Sequence, residues 1–271
     1  MAPGSELLYG RNAVAEALFG RRHPRRLFVA EGVKEDERIR AILQRAEERK
    51  VVIDRPPRLL LDDLFSGSNH QGVALETTSY PYVEFDDLVA ATGTILMLDH
   101  LQDPQNFGTL LRAAEAAGVG GVVMPHDRSA EVTAAVVNAS AGAVEHLRIA
   151  QVPNLARSIE ALKSSGRWVV GLADGPGATD LFTTDLPQPA VLVVGAEGSG
   201  IGHNVRHHCD LLVSLPMHGR VSSLNAATAG AIALYELLRT GSSERSPTTA
   251  VEPRSDDGDQ GESFSEVAVN G

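Results

Sequence analysis

The sequence predicts an α/β protein with two units, a small N-terminal α/β domain and a larger domain around a parallel sheet. Short apolar runs alternate with helical patterns from Thr94 to Thr240, which is typical of parallel strands covered on both faces. A shorter alternation occupies Leu7 to Ser79, and a linker containing Pro81 follows it. The predicted boundaries are 1–80 for the first domain, 81–93 for the linker, 94–240 for the second domain and 241–271 for a tail.

The first domain is predicted from an alternation of helical and extended segments. In order they are the amphipathic "GRNAVAEALF", the extended "RRLFVAE", the charged helix "EDERIRAILQRAEERK", the extended "VVID", then "RLLLDDLF" and the extended "GVALET". This pattern is sufficient for a small α/β unit with its own core.

Six apolar segments of the second domain are predicted to be strands. They are "TILMLD", "GVVMP", "HLRIAQV", "RWVVGLAD", "AVLVVGAEG" and "LLVSLPM". The segments between them are predicted to be helices, as is Ser222–Arg239 at the end of the domain. The tail is rich in Ser, Gly, Pro and acidic residues, so it is expected to be disordered.

Composition excludes several classes of protein. With 43% apolar residues the chain can build a core, but no window approaches the roughly 18 apolar residues of a membrane span, and no secretory signal begins it. Cys209 is the single cysteine, which excludes an internal disulfide or a four-cysteine zinc site. His203, His207 and His208 lack the H-E-x-x-H pattern, so no metal is expected. These observations predict a cytoplasmic protein.

The charge is unevenly distributed along the chain. The net charge of −11 argues against a nucleic-acid partner, yet residues 1–80 carry a net +1 and the tail −5. Four arginines, Arg21, Arg22, Arg25 and Arg26, lie between Gly20 and Phe28. Because phosphate contact needs only a local basic patch, this cluster is a candidate nucleic-acid-binding surface; the alternative is a solvated turn.

The segment "LDHLQDPQNFGTLLRAAEAAG" carries the first candidate site. It passes from a strand through a polar turn into a helix, where Arg112 interrupts small and apolar residues. Asn106 is either a helix N-cap or a functional residue, and Arg112 is either a surface arginine or a group that faces a ligand. Gly108 lies one turn before Arg112, which suggests that its missing side chain leaves room for the substrate.

Two further segments resemble ligand-binding loops. "VLVVGAEGSGIG" runs from a buried strand into a glycine-rich turn, where the backbone can approach a ligand closely. It matches neither the dinucleotide fingerprint nor a P-loop, and an ordinary strand-to-helix turn is the alternative. "LPMHGRVSSLNAATAGAIALYE" leads from a strand end into an apolar helix, with Ser222, Ser223 and Asn225 as candidate caps.

Taken together, "NFGTLLR", "GAEGSGI" and "LPMHGRVSSLNA" resemble the three signature motifs of the SpoU/TrmH family of SPOUT-class RNA methyltransferases. The segment from Asn138 to Ala173 resembles the 23S ribosomal RNA guanosine branch, and "LLYGRNAVAEAL" resembles that branch's L30e-like RNA-binding domain. The resemblance covers residues 6–240. "SLNAATAGA" departs from the Val-Ser-Val run usual in the family, at positions expected to pack within a helix.

The resemblance implies functional residues and a deep trefoil knot, which periodicity alone would not predict. It implies S-adenosylmethionine as cofactor and no metal. The implied catalytic residues are Arg112, Asn106, Glu197, Ser223 and Asn225. The implied cofactor-binding residues are Gly195, Leu215 and Leu224, largely through backbone atoms, with Gly200, Ile201 and Met217.

The implied reaction is methylation of a ribose 2′-hydroxyl, for which the partner is RNA, most simply a guanosine of 23S ribosomal RNA. Arginine is effectively never deprotonated, so Arg112 is expected to stabilise the developing alkoxide while phosphate or water takes the proton. The alternatives are the same chemistry on transfer RNA, the same chemistry on a ribosomal adenosine as in thiostrepton resistance, and a catalytically silent assembly factor.

A homodimer is also expected. The helix Ser222–Arg239 is apolar on more than one face, so it needs burial on more than one side. The alternative is a monomer whose N-terminal domain covers this helix.

Overall fold

The computed structural model describes residues 4–127, 129–220 and 223–242, and the predicted disordered tail lies outside them from residue 243 onward. Two sheets organise these residues. The first sheet has four strands in the order β1-β4-β2-β3. Its strands are β1 (Ser5–Tyr9), β2 (Pro24–Val29), β3 (Val52–Asp54) and β4 (Val73–Thr78). Its helices are α1 (Arg11–Phe19), α2 (Glu37–Glu48) and α3 (Arg58–Leu64).

The second sheet has seven parallel strands in the order β7-β6-β5-β10-β8-β11-β9. The strands are β5 (Ile95–Asp99), β6 (Gly121–Pro125), β7 (Ile149–Val152), β8 (Trp168–Leu172), β9 (Ala178–Asp180), β10 (Ala190–Gly195) and β11 (Leu211–Ser214). The helices are α4 (Phe85–Val89), α5 (Pro104–Ala116), α6 (Ala134–Ala139), α7 (Leu155–Ser164), α8 (His203–His208) and α9 (Ala226–Ser242), with a 3₁₀ turn at Ala143–His146. The predicted α/β fold and parallel sheet are confirmed.

Both faces of the large sheet are covered. Phe107, Leu110 and Leu111 of α5 pack in one core with buried residues of α6 and α9. Ile159 and Leu162 of α7 pack in a second core on the opposite face, with α4 and α8. This double coverage explains why the strands are nearly continuous apolar runs rather than alternating ones.

The chain order within the sheet places a late strand at its centre. The chain runs outward through β5, β6 and β7, and β10 later inserts between β5 and β8. The carboxyl ends of β5 and β10 are therefore adjacent, with Asp99 opposite Gly195. The trefoil knot that the family resemblance implies stays a prediction.

Several elements differ from the sequence prediction. Strands β1 and β9 were not predicted, because "SELLY" is only half-buried and "ATD" has no apolar run. Helix α4 lies inside the predicted linker 81–93, with Leu88 buried against the sheet. The last helix begins at Ala226 rather than at Ser222, a residue outside the described part of the chain.

A buried ion pair joins the domain of the first sheet to the domain of the second. The Arg22 side chain is fully buried, with Nε 2.9 Å from Glu145 Oε1 and Nη1 2.5 Å from Glu6 Oε2. The Tyr80 hydroxyl donates to the carbonyl of Leu147 at 2.6 Å, and the guanidinium lies over the Tyr80 ring. Burial raises the pKa of the Glu145 carboxyl, and Arg22 opposes that shift. The N-terminal domain is thus fixed against the segment 143–147.

None of the described helices is long and apolar enough to cross a membrane.

Candidate active site

Polar side chains from three distant segments meet at the carboxyl edge of the large sheet. The Asn225 amide nitrogen donates to Asn106 Oδ1 and to Glu197 Oε1, each at 2.7 Å. These residues lie in the three motifs that the sequence singled out. The structure therefore brings Asn106, Glu197 and Asn225 together in one cluster.

Asn106 lies in the first turn of α5, but it is not the cap of that helix. Asp103 is the N-cap, since its carboxylate accepts from the backbone N–H groups of Gln105 and Asn106. Pro104 follows at the first helical position, where its missing N–H has no partner to lose. The predicted capping role of Asn106 is wrong, which leaves its side chain available to Asn225.

Asn225 is the N-cap of α9, and both the oxygen and the nitrogen of its side-chain amide form hydrogen bonds. Its Oδ1 accepts from the N–H groups of Ala227 at 2.9 Å and Thr228 at 3.1 Å. Its Nδ2 donates to the two partners in the other motifs. The helix start therefore fixes the orientation of the amide.

The glycine-rich loop after β10 positions Glu197 by folding back on itself. Gly200 N–H donates to the carbonyl of Ala196 at 2.9 Å, and Gly198 and Gly200 both have positive φ, +78° and +64°. A Cβ on Gly195 would lie 2.1 Å from the carbonyl carbon of Gly200, a contact that no side chain tolerates. Glycine at position 195 is thus required by the close approach of two backbone segments.

Next to this cluster lies a cavity of about 510 Å³, within the range of small-molecule sites. Its walls come from the loops after β8, β10 and β11 and from the start of α9. Among the residues predicted to bind cofactor or catalyse, eight line it: Gly195, Glu197, Gly200, Leu215, Met217, Ser223, Leu224 and Asn225.

Ile201 does not line the cavity. Its side chain is 7% exposed and packs in the core on the face of the sheet that carries α7 and α8. A cofactor contact through the Ile201 side chain is therefore inconsistent with the structure.

Sequence reasoning missed one polar group of the cavity, Asp174. It follows β8 together with Leu172 and Ala173, which also line the cavity. The available signal was its place just beyond a parallel strand, because ligands of open α/β sheets bind at the carboxyl ends of strands.

The cavity's walls fit a cofactor with a planar apolar part and polar ends. Backbone groups of Gly195, Gly198 and Gly200 lie at the wall with no side chains of their own to cover them. Leu172, Leu215 and Leu224 supply apolar surface, and Asp174 and Glu197 supply carboxylates. Such a set can bind an aromatic base, hydroxyl groups and a cationic centre.

Gly108 has a different role from the one predicted. A Cβ at this position would lie 2.4 Å from Ala139 Cβ and 2.9 Å from the backbone of Ser140 and Val136. The residue is buried where α5 crosses α6. The missing side chain allows close packing of two helices, and the suggestion that it leaves room for substrate is wrong.

Arg112 is exposed and lies away from the cluster within this chain. It follows Asn106 by about 1.7 helical turns, so it projects roughly 120° away from Asn106 around the helix and lies about 9 Å further along it. Its side chain is outside the cavity wall and has no ion pair or hydrogen bond to any described residue. An unpaired exposed arginine at this position can contact an anionic partner or a second chain.

The basic cluster divides into buried and exposed members. Arg22 is fully buried, so its predicted contact with RNA is inconsistent with the structure. Arg21 and Arg25 are exposed, and Arg26, half-exposed, pairs with Asp54 at 2.8 Å. Three arginines remain on the surface as candidates for phosphate contact.

The described residues contain no group of three or more His, Cys, Asp or Glu side chains arranged to hold a metal. Burial raises the pKa of the Cys209 thiol to about 12, which keeps it protonated at neutral pH.

The fold and site define a two-domain α/β enzyme whose cofactor cavity and polar cluster share one sheet edge. Family models match both domains: the SpoU rRNA methylase family over residues 93–235, and an RNA 2′-O ribose methyltransferase substrate-binding domain over residues 7–83. The chain belongs to the SpoU/TrmH family of RNA methyltransferases, and its cofactor is S-adenosylmethionine.

Two relatives illustrate the similarity. A TrmH-family tRNA/rRNA methyltransferase of Bacillus subtilis, YacO, described as putative, is 38% identical over 245 residues, which are 88% of this chain and 97% of that protein. A Synechocystis protein described as an uncharacterized tRNA/rRNA methyltransferase is 38% identical over 86% of this chain. The chain spans only 62% of the length of that cyanobacterial relative.

Two solved structures share the fold along most of the chain. The SpoU methyltransferase AviRb from Streptomyces viridochromogenes, in complex with AdoMet, has a TM-score of 0.74 and 27% identity, covering 88% of this chain and 91% of that one. An AdoMet-bound rRNA methyltransferase from Sinorhizobium meliloti has a TM-score of 0.73 and 25% identity, covering 87% of each chain.

Proposed function

We propose that the protein methylates a ribose 2′-hydroxyl of RNA, and that the target is a guanosine of 23S ribosomal RNA in the cytoplasm. The observation that carries the proposal is the Asn106–Asn225–Glu197 cluster beside the cofactor cavity. The match of residues 7–83 to a 2′-O ribose methyltransferase substrate-binding domain supports the ribose as the acceptor.

The cavity residues hold the cofactor through backbone and side-chain contacts. Backbone groups of Gly195, Leu215 and Leu224, which line the cavity, would bind its polar edges, and Asp174 would supply a carboxylate. Bound S-adenosylmethionine supplies an electrophilic methyl group. Glu197 and Asn225 lie in the same cavity wall and carry the hydrogen-bond network toward Asn106.

Around the acceptor hydroxyl, the chain has to orient the ribose and stabilise negative charge. The Asn106 and Asn225 amides orient the ribose, because their own orientation is fixed by hydrogen bonds. Arg112 places a permanent cation beside the developing alkoxide, and a phosphate or water accepts the proton. The arginine therefore acts electrostatically.

The decisive experiment measures methyl transfer from labelled cofactor to unmodified 23S ribosomal RNA, transfer RNA and ribosomal RNA fragments, followed by mapping of 2′-O-methyl groups. The proposal expects a single 2′-O-methylguanosine in 23S RNA. Modification of transfer RNA or of an adenosine would replace the proposed substrate. Cofactor binding without transfer to any RNA would indicate an assembly factor.

We expect a homodimer, and the exposed side of α9 supports it. Tyr235 and Leu238 of α9 expose 51% and 43% of their surface, and Leu224, just before the helix, exposes 43%, while Ala227, Ala233 and Leu237 bury the other side of α9. The N-terminal domain contacts the segment 143–147, and Tyr235 of α9 stays half exposed. Light scattering at micromolar concentration should give twice the 28.7 kDa chain mass; an active 28.7 kDa species would contradict the dimer.

The position of Arg112, away from its own chain's cluster, favours sites completed by the second chain. Arg112→Ala and Asn225→Ala chains are each expected to lose most of their activity alone. Mixed and re-associated, they should regain activity, because a heterodimer has one site with both residues intact. If the two residues serve the same chain's site, every site in the mixture lacks one of them and activity stays at the level of the single variants.

The three exposed arginines are expected to contact RNA phosphates. Replacing Arg21, Arg25 and Arg26 with Gln should weaken RNA binding and reduce the slope of log K against log salt by roughly 0.7–0.9 per lost phosphate contact. Cofactor affinity should not change, since the cofactor cavity lies in the other domain. Arg22 is kept, because its substitution would disturb a buried ion pair. An unaltered salt slope would place the RNA elsewhere.

A further inference from the structure

A second cavity, of about 470 Å³, opens at the same edge of the large sheet. It shares no wall residue with the cofactor cavity, and the loop 196–202 separates the two: Gly200 lines the first cavity and Gly202 the second. Its other walls are the segments after β5, β6 and β7 and the first residues of α7 and α8. We call it the β5–β7 crevice.

The topology of the sheet creates this crevice. After β5 and β6 the chain turns to helices α5 and α6 on one face, and after β7 and β10 it turns to α7 and α8 on the other. The connecting segments diverge, and a gap opens between them at the carboxyl ends of the strands. Such switch points are where open α/β sheets bind ligands.

His100 is held at the mouth of the crevice by a buried carboxylate. Asp99, 2% exposed, places Oδ1 2.5 Å from His100 Nδ1 and accepts from the Gly202 N–H with Oδ2 at 2.7 Å. His100 has φ of +59°, an uncommon conformation for a residue other than glycine. This arrangement leaves Nε2 of His100 without a partner in the described part of the chain.

The chemistry of the walls favours a neutral, planar, hydrogen-bonding ligand. Imidazoles of His100 and His203 and the exposed amide of Asn204 offer donors and acceptors, and Pro125 and Pro153 offer flat apolar surface. Asp127 adds a carboxylate at the rim, 92% exposed, which disfavours a phosphate. A nucleobase has these properties, and unstacked RNA bases are recognised by stacking on side chains such as His and by hydrogen bonds to their edges.

We propose that the β5–β7 crevice binds the base of the nucleotide whose ribose is methylated. The inference rests on the proposed function. The loop 196–202, which carries Glu197, separates the crevice from the cofactor cavity, so a nucleotide that spans this loop would place its base in the crevice and its ribose at the polar cluster. Base identity is then read by residues of β5, β6 and α8 rather than by the N-terminal domain.

Ligand binding is tested first with the full chain and small probes. The imidazole Cε1–H NMR signals of His100, His203 and His207 are assigned with single variants and followed during titration with each ribonucleoside. A nucleoside should shift His100 and His203 but not the exposed His207 outside the crevice. Ribose 5-phosphate should shift none of them. Equal shifts with ribose 5-phosphate would identify a phosphate site, and no shift with any nucleoside would overturn the proposal.

Variants of crevice residues then test whether the crevice contributes to RNA methylation. His203→Ala should raise the KM for RNA about tenfold, the loss expected for one stacked base, with cofactor affinity unchanged. His207→Ala, on the same helix but outside the crevice, is the matched control and should behave as wild type. His100→Asn should also raise the KM, because Asn tolerates positive φ and preserves the backbone.

The outcomes separate the two proposals. If wild-type protein methylates RNA and His203→Ala matches His207→Ala, the crevice is not the base site while the methyltransferase function stands. If wild-type protein methylates no RNA, the proposed function itself fails, whatever the nucleoside titration shows.

Discussion

Arg112→Ala should lower kcat for methyl transfer by about 10²–10³-fold, the effect of removing one preorganised group that stabilises an oxyanion. Cofactor affinity and the unfolding midpoint should remain near wild type. The residue is exposed, makes no ion pair or hydrogen bond to any described residue, and is absent from the cavity wall. Radiolabelled methyl transfer under single-turnover conditions and calorimetry of cofactor binding measure the two quantities separately.

Two companion variants make this prediction specific. Arg112→Lys retains a cation but not the planar fork, so it should recover part of the rate if charge stabilisation is the mechanism. Thr109→Ala changes another exposed position of α5 and should leave the rate unchanged. Turnover of Arg112→Ala close to wild type would exclude the arginine from the reaction, and a lower unfolding midpoint would indicate a structural role instead.

Glu145→Ala should destabilise the protein by about 3–5 kcal/mol, because it leaves the fully buried Arg22 without its buried partner. The lower end of the range is expected, since Glu6 still pairs with Arg22 and is itself partly exposed. Urea denaturation followed by tryptophan fluorescence and by circular dichroism measures the loss.

The matched comparison is an exposed ion pair. Glu48→Ala removes the partner of Arg45 on α2 and should change stability by no more than about 1 kcal/mol. The double variant Arg22→Met/Glu145→Leu removes both buried charges and should recover much of the stability lost by Glu145→Ala. A Glu145→Ala variant as stable as Glu48→Ala would show that water reaches Arg22 and that the domain junction is open.

The strands of the large sheet were predictable because burial on both faces leaves a strong local signal. Each of the six predicted apolar runs contains an observed strand. Strand β9 has three residues and little apolar content, so local sequence carries no signal for it. The position of β10 between β5 and β8 is a property of the whole chain, and no single segment encodes it.

The sequence predicted which motifs form the candidate site, but it did not predict which side chains in those motifs contact one another. The three motifs supplied Asn106, Glu197 and Asn225, which the structure joins by hydrogen bonds. Gly108 was assigned to the substrate because the sequence shows a missing side chain but not the helix that fills the space.

The sequence also does not show which charged side chains are buried, and Arg22 is an example. In the sequence it is one of four similar arginines, and its partner Glu145 lies 123 positions away. Only tertiary structure distinguishes the buried member of such a cluster from the exposed ones.

The double role of Asn225 has a consequence for biosynthesis. Asn106 and Glu197 are translated before Asn225, which lies 119 and 28 positions after them, and the side-chain hydrogen bonds that join them both come from Asn225. A nascent chain that lacks α9 therefore has no joined polar cluster, however well its first strands have folded. Because RNA would be modified only by chains translated past Asn225, enzymatic activity would report synthesis beyond this residue and docking of α9.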